Sequence, residues 1–137
     1  MFKLLILKSL LIVSTCGFPE HSPWETDVKY SSLTEKHLKK LSLKDNQSSS
    51  FKIAITGDPQ VVVGHFRNVI SETNNRSDID FVVVLGDLTD LGLRTEWNWI
   101  GKSIKNSNKP VLTVVGNHDG LAKGDRIYKK MFGDLNY

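Results

Sequence analysis

Three short apolar runs each end in a glycine followed by an oxygen-bearing side chain, and this repeated unit constrains the fold more than any other feature. The runs are Phe51–Thr56, closed by Gly57-Asp58; Phe81–Leu85, closed by Gly86-Asp87; and Pro110–Val115, closed by Gly116-Asn117. Asp58 and Asp87 stand 29 residues apart, and Asp87 and Asn117 stand 30 apart. Each interval holds one helical stripe. Phe66, Val69, Ile70 and Thr73 recur at helical spacing before Asn74-Asn75, and Trp97, Ile100 and Ile104 recur before Asn106-Ser107-Asn108. The order β-α-β-α-β with short connections predicts an α/β fold: a parallel sheet with right-handed crossovers. Phe81–Leu85 carries no polar residue, which predicts a strand covered on both faces.

The rest of the chain bounds the class. At 137 residues, 39% hydrophobic and 24% charged, it has the size and composition of one globular domain rather than a disordered chain. The net charge is +3 and the pI about 9.0, but the basic residues are scattered and two of them, Lys3 and Lys8, lie at the very N-terminus. Without those two the charge is close to neutral, so no electrostatic drive toward nucleic acid remains. The single cysteine, Cys16, excludes an internal disulfide and a cysteine-based zinc site.

Leu4–Val13 is an apolar stretch too short for a span of roughly 20 residues and suited to a signal-peptide core. Val13-Ser14-Thr15-Cys16 resembles a bacterial lipoprotein signal, with Lys8 inside the apolar run and Thr15 where Gly or Ala is usual. The resemblance implies a signal peptide over 1–15, lipidation of Cys16 and an exported chain anchored at a membrane; a plain secretory leader is the alternative. Residues 16–50 read as a tether, with Pro19, Pro23 and Ser48-Ser49-Ser50 in a polar stretch. One short helix is expected there, from Leu33 to Leu43, with Lys36, Lys39 and Lys40 on a solvated face. His21 and His37 fall in that tether and are not expected to be ligands. The folded domain is expected over 51–137.

The carboxyl ends of parallel strands converge on one crevice. The three strand ends would bring Asp58, Gln60, Asp87, Asn117, His118 and Asp119 to one edge, with glycines allowing close backbone approach. Carboxylates and amide oxygens repel an anion and suit a divalent cation. Two such ions about 3.5–4 Å apart, bridged by a carboxylate, clamp the oxygens of an in-line phosphoryl displacement, and Asp87 on the central strand is the natural bridge. Strand-end turns favour Gly, Asp and Asn on their own account, which explains one or two of these residues but not all of them beside His118-Asp119. Asp90 reads as a loop or cap residue, Trp97 as core, and Arg67 and Arg94 as surface. Trp99 offers only a weak hint of stacking, and His65, at a helix start near the crevice, is a marginal ligand.

Asp58-Pro59-Gln60, Gly86-Asp87-Leu88-Thr89-Asp90 and Gly116-Asn117-His118-Asp119, in that order and at that spacing, resemble the calcineurin-like metallophosphoesterase superfamily over residues 51–120. The resemblance implies that Asp58 and Gln60 bind one metal, Asp87 bridges two, and Asn117 binds the second. It implies that His118 contacts the phosphate and protonates the leaving oxygen, with Asp119 orienting it. Gln60 stands where His is commoner, which favours Mn or Mg over Zn, with Fe admissible; Asp-Pro-Gln is similar to a branch containing Mn-dependent nucleoside-diphosphate-linked pyrophosphatases. The family completes its metal shells with histidines from a later half of the fold, and no histidine follows His118 here. The expectation is therefore the N-terminal half of the family's sandwich, truncated, without its partner sheet. Two functions compete: a phosphoesterase acting on a small phosphate ester or pyrophosphate through two divalent metals, and a non-catalytic exported lipoprotein remnant with weak or no metal binding. A Rossmann-type nucleotide binder is disfavoured because no Gly-x-Gly-x-x-Gly follows the first strand.

Overall fold

The computed structural model describes residues 22–43 and 50–135. Strands β1 (Ile53–Thr56), β2 (Phe81–Val84) and β3 (Val111–Thr113) form one parallel sheet in the order β1-β2-β3. Ala54 pairs in register with Val82, and Val82 with Val111. Helix α1 (Leu33–Ser42) precedes the sheet, α2 (Val63–Asn75) joins β1 to β2, and α3 (Arg94–Lys105) joins β2 to β3. After β3 a short 3-10 segment, His118–Lys123, leads into α4 (Gly124–Phe132). Cys16, the expected leader over 1–15 and His21 lie outside the described residues. Among the described residues no helix is long and apolar enough to cross a membrane.

The α/β architecture is the one the alternating periods predict. The two faces of the sheet differ, however. Val82, Val84 and Val111 are buried under Phe66 and Ile70 of α2, Trp97, Ile100 and Ile104 of α3, and Ile127, Tyr128 and Met131 of α4. Burying each large side chain contributes about 1.5–3 kcal/mol, and Trp97, Tyr128 and Phe132 add edge-on and tilted ring contacts. On the opposite face Ile53 and Ile55 are 45% and 65% exposed, with Phe81, Val83 and Leu112 only half-buried. The expectation of strands covered on both faces is corrected here. Successive strands added in one direction put both crossover helices on one side, so the other side is left apolar and open.

The region read as tether also differs. Over 22–43 it lies against the domain. Lys29 N–H donates to Asn98 Oδ1 at 2.9 Å, Lys130 pairs with Asp27 at 2.6 Å, and Leu33 enters the core. Gly101 of α3 is required for this contact, since a Cβ there would stand 2.5 Å from the Tyr30 ring and 2.7 Å from Met131 Cε. Helix α1 then runs along the outer edge of β3. The Val111 N–H, left unpaired at the end of the sheet, donates to His37 Nδ1 at 3.1 Å. Burial, then the nearby Lys40 charge, lowers the His37 pKa to about 4, so the ring stays neutral and keeps its acceptor. The expected helix is present, and Lys36, Lys39 and Lys40 do face solvent. Its opposite face is a docking surface.

Helix α4 and its buried stripe have no counterpart in the sequence reading. Buried Tyr128 donates its hydroxyl proton to the Thr113 carbonyl at 2.9 Å and lies 3.1 Å from Thr113 Oγ1. This ties α4 to the end of β3, next to the strand-end loops.

Candidate functional site

The three strand-end loops are joined by backbone and side-chain hydrogen bonds into one edge. The loop after β1 is held by two backbone bonds, Asp58 N–H to the Gly86 carbonyl at 3.3 Å and Gln60 N–H to the Asp87 carbonyl at 3.2 Å. The loops after β2 and β3 are fastened by side chains. Asp87 Oδ1 accepts the His118 N–H at 3.0 Å. Asp119 accepts the Gly116 N–H at 2.9 Å on one oxygen, and the Thr89 N–H at 2.9 Å and Thr89 Oγ1–H at 3.0 Å on the other.

Two glycines let these loops approach. A Cβ on Gly116 would stand 2.1 Å from Asp87 Oδ1 and 2.2 Å from its backbone nitrogen, which no side chain tolerates. Gly86, at φ +82°, lies against Gly116. The backbone is also strained where the ligand-type residues sit. Asp58 and Asp87 both have φ +47°, and Val61 has φ +61°. Left-handed geometry at a β-branched valine is costly and recurs at functional sites.

These contacts bring the predicted residues Asp58, Gln60, Asp87, Asn117 and His118 to one edge. Asp58 and Asn117 are exposed and Asp87 half-buried; the side chains of Asp58 and Asn117 take no hydrogen bond among the described residues. Gln60 Oε1 is buried without a hydrogen-bond partner. A buried carbonyl oxygen left unpaired costs about 1–3 kcal/mol, and a cation beside it removes that cost. The donor set is two carboxylates and two amide oxygens, which fits a hard divalent cation. Among the described residues no group of three His, Cys, Asp or Glu is assembled to hold a metal. His65 is exposed on the first turn of α2, and buried His37 is committed to Val111.

The hydrogen bonds of Asp119 run to the strand-end loops. It is fully buried and both its oxygens are taken by Thr89 and Gly116, so it fastens two loops together. Burial pushes its carboxyl pKa up, against the hydrogen bonds that favour the charged form. The partner of the His118 ring is the Asp90 carbonyl, which lies 2.8 Å from Nδ1. That bond raises the His118 pKa, and the charges of Asp87, Asp90 and Asp119 raise it further. With Nδ1–H donated to Asp90, Nε2 is the nitrogen left to meet a ligand. Sequence reasoning missed both Thr89 and the main-chain role of Asp90. Neither had a signal, because a threonine between two carboxylates reads as ordinary loop.

A sequence profile described as calcineurin-like phosphoesterase matches residues 51–137. The chain belongs to the calcineurin-like phosphoesterase family. That family generally binds divalent metals. A protein of Fibrobacter succinogenes (strain ATCC 19169 / S85) named "Probable cyclic nucleotide phosphodiesterase" is 33% identical over 64 residues, covering 45% of this chain and 25% of the relative. The matched region is thus about a quarter of that relative's length. No solved structure shows significant similarity to this chain.

Proposed function

We propose that the strand-end edge is one side of a divalent-metal phosphoesterase centre acting on a phosphate ester or pyrophosphate, with Mn or Mg favoured over Zn. The observation that carries this reading is the buried, unpartnered Gln60 Oε1 beside the strained, carboxylate-bearing turns at Asp58 and Asp87. Asp58, Gln60, Asp87 and Asn117 would hold the metal. Bound there, divalent ions supply Lewis acidity toward phosphoryl oxygens and activation of the attacking water. Asp87 gives one oxygen to the His118 N–H, which orients the carboxylate and leaves its second oxygen for a cation. His118, oriented through Nδ1 by Asp90, holds a proton on Nε2 in its charged form and gives it to the departing oxygen as general acid. The hydrogen bond to the Asp90 carbonyl, then the charges of Asp87, Asp90 and Asp119, raise its pKa and so favour the protonated form.

A second reading is favoured by the donor set itself. Two carboxylates and two amides without an imidazole make a partial shell, which supports metal binding without turnover. Hydrolysis of bis-p-nitrophenyl phosphate by the full chain in Mn²⁺ separates the two. The catalytic reading expects turnover that falls about 100-fold or more in His118→Ala with metal affinity retained. Metal binding with no turnover supports the second reading, and neither binding nor turnover overturns both.

The N-terminal motif supports export with lipidation of Cys16, which would hold this domain at a membrane surface. Palmitate labelling of cells expressing the full chain, lost in Cys16→Ala, is the expected result; equal labelling of both contradicts it.

A further inference from the structure

A groove of about 560 Å³ runs between α2 and α3 on the helical layer, on the solvent side of the helices that cover the sheet. That volume lies in the range of clefts that hold small molecules. Its lining is selective in charge: Arg67 and Lys102 enter it, and no carboxylate does. Both cations are exposed, and neither has a hydrogen bond or ion pair among the described residues. A Cβ on Gly64 would stand 3.8 Å from the Arg67 guanidinium, so that head group lies back over the first turn of α2 inside the groove. The far end is closed where Asn74 Nδ2–H donates to the Asn106 carbonyl at 3.1 Å.

The third component is aromatic. Trp99 lines the same groove and is 54% exposed, whereas Trp97, two residues earlier, is fully buried and donates to the Gly92 carbonyl at 3.1 Å. Trp97 therefore serves the core, and Trp99 leaves about half of its surface open beside the groove. An indole face stacks a planar base at about 1–3 kcal/mol per base. Guanidinium and ammonium groups supply charge-assisted donors to phosphate oxygens.

We infer that the α2–α3 groove is a binding site for a nucleoside phosphate, with the base on Trp99 and the phosphates between Arg67 and Lys102. The inference uses none of the strand-end residues and stands apart from the metal reading.

The test is titration of the full chain with ADP in excess EDTA, which takes divalent metal out of the experiment, followed by tryptophan fluorescence. Saturable quenching with a Kd on the order of 0.1 mM is expected. It weakens at least tenfold in Arg67→Ala/Lys102→Ala and about tenfold in Trp99→Ala, and Trp99→Phe recovers most of the affinity by calorimetry. All three positions are exposed, and an unchanged circular dichroism spectrum shows that the fold is kept. The inference is overturned if ADP fails to bind at millimolar concentration, or if binding survives the double substitution. It is equally overturned if binding requires Mn²⁺, which assigns it to the strand ends. Adenosine binding as tightly as ADP, or inorganic phosphate binding as tightly with no effect of Trp99→Ala, also contradicts it.

Discussion

The two halves of the strand-end edge are built differently. Between the loops after β2 and β3, the contacts are made by side chains: Asp119 reaches Thr89 and Gly116, and Asp87 reaches the His118 amide. The loop after β1 rests on two backbone bonds of 3.2–3.3 Å, with Asp58 exposed and Gln60 Oε1 buried without a partner. The first half is organised by the protein alone. Left-handed turns occur in both, at Asp87 and at Asp58 and Val61, and the second adds an unmet acceptor, as a site does when a cation completes it. The difference makes the loops after β2 and β3 the self-supporting frame and the loop after β1 the part that a bound cation would complete.

The most damaging substitution by this account is Gly116→Ala. The new methyl would overlap Asp87 at 2.1–2.2 Å, and backbone cannot yield as a flexible side chain does. A loss of about 3 kcal/mol or more is expected, read as a shift in the urea midpoint. An unchanged midpoint would show that the two loops are not in the contact described. Asp119→Ala comes next, leaving the buried Thr89 donors and the half-buried Gly116 N–H unpaired at about 2–3 kcal/mol; a stability equal to wild type would remove Asp119 from its fastening role.

A pH effect belongs to the opposite end of the sheet and serves as a contrast. His37 is neutral in the fold, with a pKa of about 4 against an ordinary value of about 6.5. Between those values the unfolded chain binds more protons than the folded one, so stability rises with pH across the window. The His37 contribution is complete above pH 6.5 and is lost as pH falls toward 4. About 2 kcal/mol is expected after allowance for solvent screening. His37→Gln flattens that slope; a slope unchanged by the substitution contradicts the edge-capping role. The smallest effect on stability is expected from Gln60→Leu, which removes an unpaired buried oxygen and leaves the apo fold within about 1 kcal/mol of wild type or slightly more stable. Metal affinity should fall about tenfold in the same variant, which sets the two halves of the edge apart.

The sheet order, both crossover helices and the convergence of the loops were readable from residues because each rests on local rules. Gly57, Gly86 and Gly116 punctuate the runs, and the 3.6-residue stripes of Phe66–Ile70 and Trp97–Ile104 show which side is buried. Three features were not readable, for physical reasons. Ile53, Ile55 and Val83 are as apolar as Val82 and Val84, so no pattern tells the covered face from the open one. His37 lies among lysines, and its burial depends on an unpaired amide 74 residues away. Asp119 looks like a continuation of the Gly116-Asn117-His118 motif, and only the positions of Thr89 and Gly116 show it fastening two loops.

The central claim is that the loop after β1 is completed by a divalent cation held jointly with Asp87. Calorimetric titration of Mn²⁺ into the full chain at neutral pH, repeated with Asp87→Asn, addresses it most directly. Saturable binding is expected that raises the melting temperature, as ligand linkage requires, and that weakens at least tenfold in Asp87→Asn. No measurable binding, or identical binding by the two proteins, would contradict it.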